Sequence, residues 1–85
     1  MRTYLVTLAI IALQWDANIE PDLVGYRLYA RPSTVVTFQP MSTMGKQTSV
    51  RVKVDGRRNW YFYLTARNAT MESSPGNIVY VPRGY

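Results

Sequence analysis

The sequence predicts an all-β domain, a two-layer β-sandwich of seven short strands in Greek-key order. Three observations predict it. β-Branched and aromatic residues dominate the chain. Turn-forming residues interrupt it at roughly 8–12-residue intervals, and apolar and polar positions alternate at period two. A barrel is the other all-β solution to such a pattern.

The elements follow in order. A short edge segment is expected near Thr3–Val6, leading into a strand over Thr7–Trp15. Asp16–Asp22 (DANIEPD) is a loop, because Asn, Pro and Asp favour turns. Val24–Ala30 (VGYRLYA) is the next strand, Arg31–Ser33 a turn, and Thr34–Phe38 (TVVTF) a short strand chosen for its β-branched run. Gln39–Gln47, with Pro40 and Gly45, reads as a loop. Ser49–Val54 (SVRVKV) alternates valine with cations, the mark of one buried and one wet face. Asp55–Asn59 turns, Trp60–Arg67 is a long strand, Asn68–Gly76 a loop, and Asn77–Val81 the last strand. No amphipathic helix, repeat or linker interrupts the pattern, so residues 1–85 read as a single domain.

Composition narrows the functions. Hydrophobic residues make up 47% of the chain, which is enough for a core and argues against disorder. There is no cysteine and no histidine. That removes the disulfide staple, the thiol nucleophile, the common general base and the usual transition-metal ligands. The five carboxylates are Asp16, Glu20, Asp22, Asp55 and Glu72. Three share one loop, but their spacing has no calcium-loop signature. The glycines at 25, 45, 56, 76 and 84 form no phosphate-cradling motif. Neither an enzyme, a cofactor nor a metal is expected.

The net charge is +5, from ten Lys/Arg against five Asp/Glu, yet no run of like charge exceeds two. A nucleic-acid footprint usually forms a stripe, so nucleic acid is not the expected partner. Arg2 followed by the apolar run Tyr4–Leu13 has some look of a secretory signal. It lacks a cleavage site, is too short to span a bilayer as a helix, and continues a strand pattern. No membrane role is expected.

Two long stretches carry a resemblance. ALQWDANIEPDLVGYRLY (12–29) resembles strand B, the B–C loop and strand C of a fibronectin type III domain. WYFYLTARNATMESSPGNIVYV (60–81) is similar to its strand F, F–G loop and strand G. The likeness covers Thr7–Val81 and implies an immunoglobulin-like sandwich. Two departures accompany it. The E–F corner reads Val54-Asp55-Gly56-Arg57-Arg58-Asn59-Trp60, with tryptophan where the family has its corner tyrosine. The first strand is truncated, so the completion of one sheet edge is left open.

Period two assigns the faces. The inward set is Ala9, Ile11, Leu13 and Trp15; Tyr26, Leu28 and Ala30; Val50, Val52 and Val54; Trp60, Phe62, Leu64 and Ala66; Val79 and Val81. The outward set on strands C, F and G is Arg27, Tyr29, Tyr61, Tyr63, Thr65, Arg67, Ile78 and Tyr80. Of these, Arg27, Tyr29, Tyr61, Tyr63, Arg67 and Tyr80 form the expected interaction face, since tyrosine and arginine are enriched at interfaces. The competing explanation is that cross-strand aromatics simply stabilise the sheet. On the first strand the outward Leu8, Ile10 and Ala12 are apolar, and Leu8 and Ile10 are a second expected docking surface.

Asn68-Ala69-Thr70 fits a glycosylation sequon, meaningful only in a eukaryotic secreted protein. Met41 and Met44 are candidates for an adaptable contact or for a lid on the core. The absence of Arg-Gly-Asp gives no support to integrin binding. If the sequence is a whole gene product, the resemblance implies a free-standing module, as found in virions. The expected role is therefore a non-catalytic accessory protein of a large assembly, such as a phage capsid decoration or cement protein. It would be cytoplasmic before assembly and would bind a shell subunit or further copies of itself. The alternative is a secreted adhesion module that binds carbohydrate or a cell-surface protein through its tyrosines.

Overall fold

A computed structural model describes residues 8–84. Among them are six β-strands and no helix: β1 Leu8–Gln14, β2 Gly25–Pro32, β3 Gln39–Met44, β4 Ser49–Asp55, β5 Trp60–Arg67 and β6 Val79–Val81. β1 and β4 form a two-stranded antiparallel sheet. The other four form a second antiparallel sheet in the order β3-β2-β5-β6.

The two sheets share one core. Ile11 of β1 and Val52 and Val54 of β4 are buried together with Tyr26, Leu28, Ala30, Met44, Phe62 and Val81 of the larger sheet. Ala9, Leu13, Trp15, Val50, Trp60, Leu64 and Ala66 pack against them. Nearly every residue assigned inward by alternation is thus in or against the core, which is the sandwich-like arrangement the pattern implies. Trp15 meets Tyr26 edge-on, at 5.4 Å between ring centroids. The Tyr26 hydroxyl accepts the Asn18 backbone N–H at 2.8 Å, so this large buried ring keeps its polar end satisfied. Leu23, between the expected loop and strand, also packs against the core.

Three expectations need correction. Thr34–Phe38 is not a strand. Residues 33–37 turn, the Val35 N–H bonds back to the Pro32 carbonyl at 3.0 Å, and Val36 is 92% exposed. The strand lies instead in Gln39–Met44, which reads as loop because of Pro40. Among the described residues β3 pairs only with β2, and the register slips between Leu28 and Tyr29, with Pro40 opposite Tyr29 and Ser42 opposite Leu28. Met41 is the extra, bulged residue. An edge strand with a bulge is where proline is tolerated, since no ladder bond needs its missing N–H. Second, Val79 is assigned inward but is 44% exposed, at the rim of a cleft between the sheets. Third, Thr65 is assigned outward but is 3% exposed. The 68–76 loop folds back beside it, with the Ser73 N–H on the Ala66 carbonyl (2.7 Å) and the Gly76 N–H on the Leu64 carbonyl (3.0 Å). The expected edge segment near Thr3–Val6 lies outside the described residues.

The β4–β5 connection answers the question raised by its tryptophan. The Trp60 Nε1–H donates to the Asp55 carbonyl at 2.9 Å. The indole therefore bonds back across the turn, as a corner tyrosine does in immunoglobulin-like sandwiches.

Candidate interaction face

The outer face of β2, β5 and β6 is built by register. Arg27 lies opposite Thr65, Tyr29 opposite Tyr63, Arg31 opposite Tyr61, and Tyr61 in turn opposite Tyr80. Directly opposed residues on antiparallel strands point to the same side, so these side chains must meet. Tyr29 and Tyr63 stack at 4.8 Å with 22° between their planes. Phe38, arriving from the turn after β2, tilts against Tyr63 at 4.6 Å. The Arg31 guanidinium sits 5.2 Å from the Phe38 ring and 4.3 Å from the Tyr61 ring. Tyr61 then meets Tyr80 at 5.0 Å. Five rings and one guanidinium thus form a continuous row across three strands.

Two consequences follow. Each aromatic pair contributes about 0.5–1.5 kcal/mol beyond its buried area, and each exposed cation–π contact about 0.5–1 kcal/mol. The row therefore fixes the sheet and its own rotamers together. In addition, the stacked Tyr29–Tyr63 pair and Arg31 over Tyr61 cover part of the ring surface, while Tyr80 (50%) and Ile78 (59%) stay exposed at the β6 end.

The other end of the row is charged. Arg27 Nη1 donates to Glu72 Oε1 at 2.8 Å and its Nε to Thr43 Oγ1 at 3.0 Å. The Tyr29 hydroxyl donates to the second Glu72 oxygen. This bond to a carboxylate, together with burial, holds the Tyr29 phenol protonated above its ordinary pKa of 10.0. Glu72 comes from the loop, where a backbone β-bridge sets it opposite Arg67 at the end of β5, and its side chain reaches Arg27 and Tyr29 on β2. Arg67 turns away from the row. Its Nη2 donates to the Met44 carbonyl at 3.1 Å, and its Nε is buried without a partner among the described residues.

The structure thus brings Tyr29, Tyr61, Tyr63 and Tyr80 together, joins Arg27 to them through Glu72, and places Arg67 beside β3. Sequence reasoning omitted Arg31, Phe38 and Glu72. Continuing the period of β2 past Ala30 finds Arg31. Nothing local signals Glu72, whose position depends on the loop.

On the smaller sheet, Ile10 is 60% exposed and Ala12 is also exposed. Their partners on β4 are Lys53 and Arg51, whose aliphatic stems lie on the same face. The Leu8 side chain lies outside the described residues. In the sequon, Asn68 Oδ1 accepts the Thr70 and Met71 N–H groups and Nδ2 donates to Asp22 at 2.9 Å, so this amide holds its turn and a neighbouring loop. Met44 is core, whereas Met41 is 37% exposed. Among the described residues no group of three metal-ligating side chains occurs, and no helix is long and apolar enough to cross a membrane. No protein-family model matches this chain, and no curated protein matches it.

Proposed function

We propose that this chain is a non-catalytic docking module that seats the Tyr/Arg face of β2, β5 and β6 against a protein surface. The row of rings locked by Arg31 carries the reading. Rigid aromatic and arginine side chains give contact area with little ordering cost on binding. The role expected from the sequence, an accessory subunit that decorates or cements a large shell such as a phage capsid, is the specific form of this proposal. The fibronectin type III reading belongs to it as well. Immunoglobulin-like sandwiches put strands B and E in one sheet and C, F and G in the other. With β1 as B and β4 as E, and β2, β5 and β6 as C, F and G, the observed pairings have that form.

A sugar stacks on an open aromatic face, and the mutual stacking of Tyr29 and Tyr63 and the Arg31 guanidinium over Tyr61 favour protein over carbohydrate at those rings. The test is sedimentation with assembled particles from the native source. Tyr61→Ser/Tyr80→Ser is expected to lose at least about tenfold in particle binding while keeping its β spectrum. Undiminished co-sedimentation of that variant rejects the reading. Chemical-shift changes at Tyr61 and Tyr80 on adding oligosaccharides would instead favour the glycan-binding alternative.

A further inference from the structure

Among the described residues the two sheets have four terminal strands, and three are guarded against further pairing. β3 carries Pro40 and a bulge. β4 carries the exposed cations Arg51 and Lys53. β6 has three residues and is followed by Pro82. Each device discourages another strand from adding. β1 has none of them: LAIIALQ is uncharged, lacks proline, and runs in unbroken register with β4 over all seven residues.

The hydrogen-bond parity of β1 shows what is free. The Trp15 N–H bonds to the Thr48 carbonyl at 2.9 Å, extending the same register as a bonded pair. Antiparallel ladders alternate bonded and non-bonded pairs. Leu13 and Ile11 therefore bond to β4, and the N–H and C=O groups of Ile10, Ala12 and Gln14 point away from it. Among the described residues no strand pairs with that side of β1.

Beside this edge lies a cleft of about 340 Å³ between the sheets, bounded by Leu13, Trp15, Leu28, Phe62, Leu64 and Val79. Val79 is half-exposed at its rim because nothing among the described residues fills the space opposite it. Trp15 contributes a further demand. Its Nε1–H is buried and has no acceptor among the described residues, an arrangement that costs about 1–3 kcal/mol if left so.

We propose that this side of the sandwich receives one extended, uncharged peptide segment from another polypeptide, which adds to β1 as a strand. Such a segment satisfies all four observations together. Its backbone pairs with Ile10, Ala12 and Gln14, a carbonyl is available to Trp15 Nε1, and its inward side chains enter the apolar cleft. Neutrality matches an edge without charge and a cleft whose lining includes one carboxylate, Asp16, and no cation. A second folded copy meets only part of the demand. Its β1 has already committed inward residues such as Ile11 (2% exposed) to its own core, so it would pair with the edge and leave the cleft empty. The proposal does not depend on the Tyr/Arg face, which lies on the other sheet.

The test is amide exchange of ¹⁵N-labelled protein titrated with blocked octapeptides of alternating Val and Thr, and of alternating Ile and Ser. Exchange at Ile10, Ala12 and Gln14 is expected to slow by about tenfold or more, with no change at Ile11 or Leu13. The Trp15 indole N–H resonance should move, while that of Trp60, already bonded to Asp55, stays. Ala12→Pro removes one edge donor, and Val79→Lys puts a charge in the cleft. Each should abolish the response, and the second leaves every β1–β4 pair in place should the first fail to fold. Tyr61→Ser/Tyr80→Ser should respond as the parent does. Three results overturn the proposal. They are unchanged exchange with either peptide, slow exchange of these amides in the free monomer, and protection that appears only with concentration-dependent dimerisation.

Discussion

Single residues in this molecule are constrained by backbone as much as by side chains. Gly25 opens β2 where β3 crosses close by, and a Cβ there would overlap the Met44 carbonyl oxygen and lie 2.9 Å from that of Gly45. Backbone cannot swing aside as a flexible side chain does. Gly25→Ala should therefore cost about 1–3 kcal/mol by overpacking, read as a lower urea midpoint with unchanged slope. Asp55 shows a different constraint. It accepts from the Arg57 guanidinium at 3.0 Å through both carboxylate oxygens and from the Arg57 N–H, with Arg58 3.5 Å away. The Arg57 side-chain bonds, then its backbone bond, lower the Asp55 pKa from 3.8 to about 2. A carboxylate with a depressed folded pKa stabilises the fold above its unfolded value and loses that contribution as it is protonated. Stability should thus decline as pH falls from 3.8 towards about 2. Asp55→Asn should be less stable at neutral pH and show a flatter decline across that window in pH-dependent denaturation.

At the scale of the element, β3 separates propensity from pairing. TVVTF has the stronger β composition, yet QPMSTM forms the strand. The difference is what each segment can do for the core. Met44 at the end of β3 is 6% exposed, whereas Val36 in the turn is 92% exposed. Met44→Ala should cost about 2–5 kcal/mol, and Val36→Thr should change stability by less than about 0.5 kcal/mol. Equal effects in thermal or urea unfolding would contradict this placement. The same contrast shows what was legible in the sequence. β5 is found at Trp60–Arg67 as its alternation predicts, and β1, β2 and β4 fall within two residues of expectation, because each alternates against one buried face. β3 was hidden because its existence rests on β2, a tertiary partner that composition does not reveal. The Tyr29–Tyr63 and Tyr61–Tyr80 contacts were legible from period two plus strand adjacency. Glu72 was not, because a loop reversal rather than a periodicity delivers it to Arg27 and Tyr29.

Across the whole molecule the two sheets are unequally supported. β2 and β5 are paired on both sides within a four-stranded sheet, and their outer faces are braced by the aromatic row. Among the described residues β1 and β4 pair only with each other, and a lone two-stranded sheet is marginal in water. What retains it is burial of Ile11, Val52 and Val54 against Tyr26, Leu28 and Phe62. Regions open in cooperative units whose stability follows their share of buried contacts and paired strands. The smaller sheet should accordingly detach before the larger one unravels. Native-state hydrogen exchange should find the amides bonded between β2 and β5, such as Tyr29 and Tyr63, among the slowest, limited by global unfolding. The bonded amides of β1 and β4, such as Ile11 and Val52, should exchange through an opening of lower free energy and smaller dependence on denaturant. Merging of both groups onto one isotherm would show instead that the shared core binds the two sheets into a single cooperative unit.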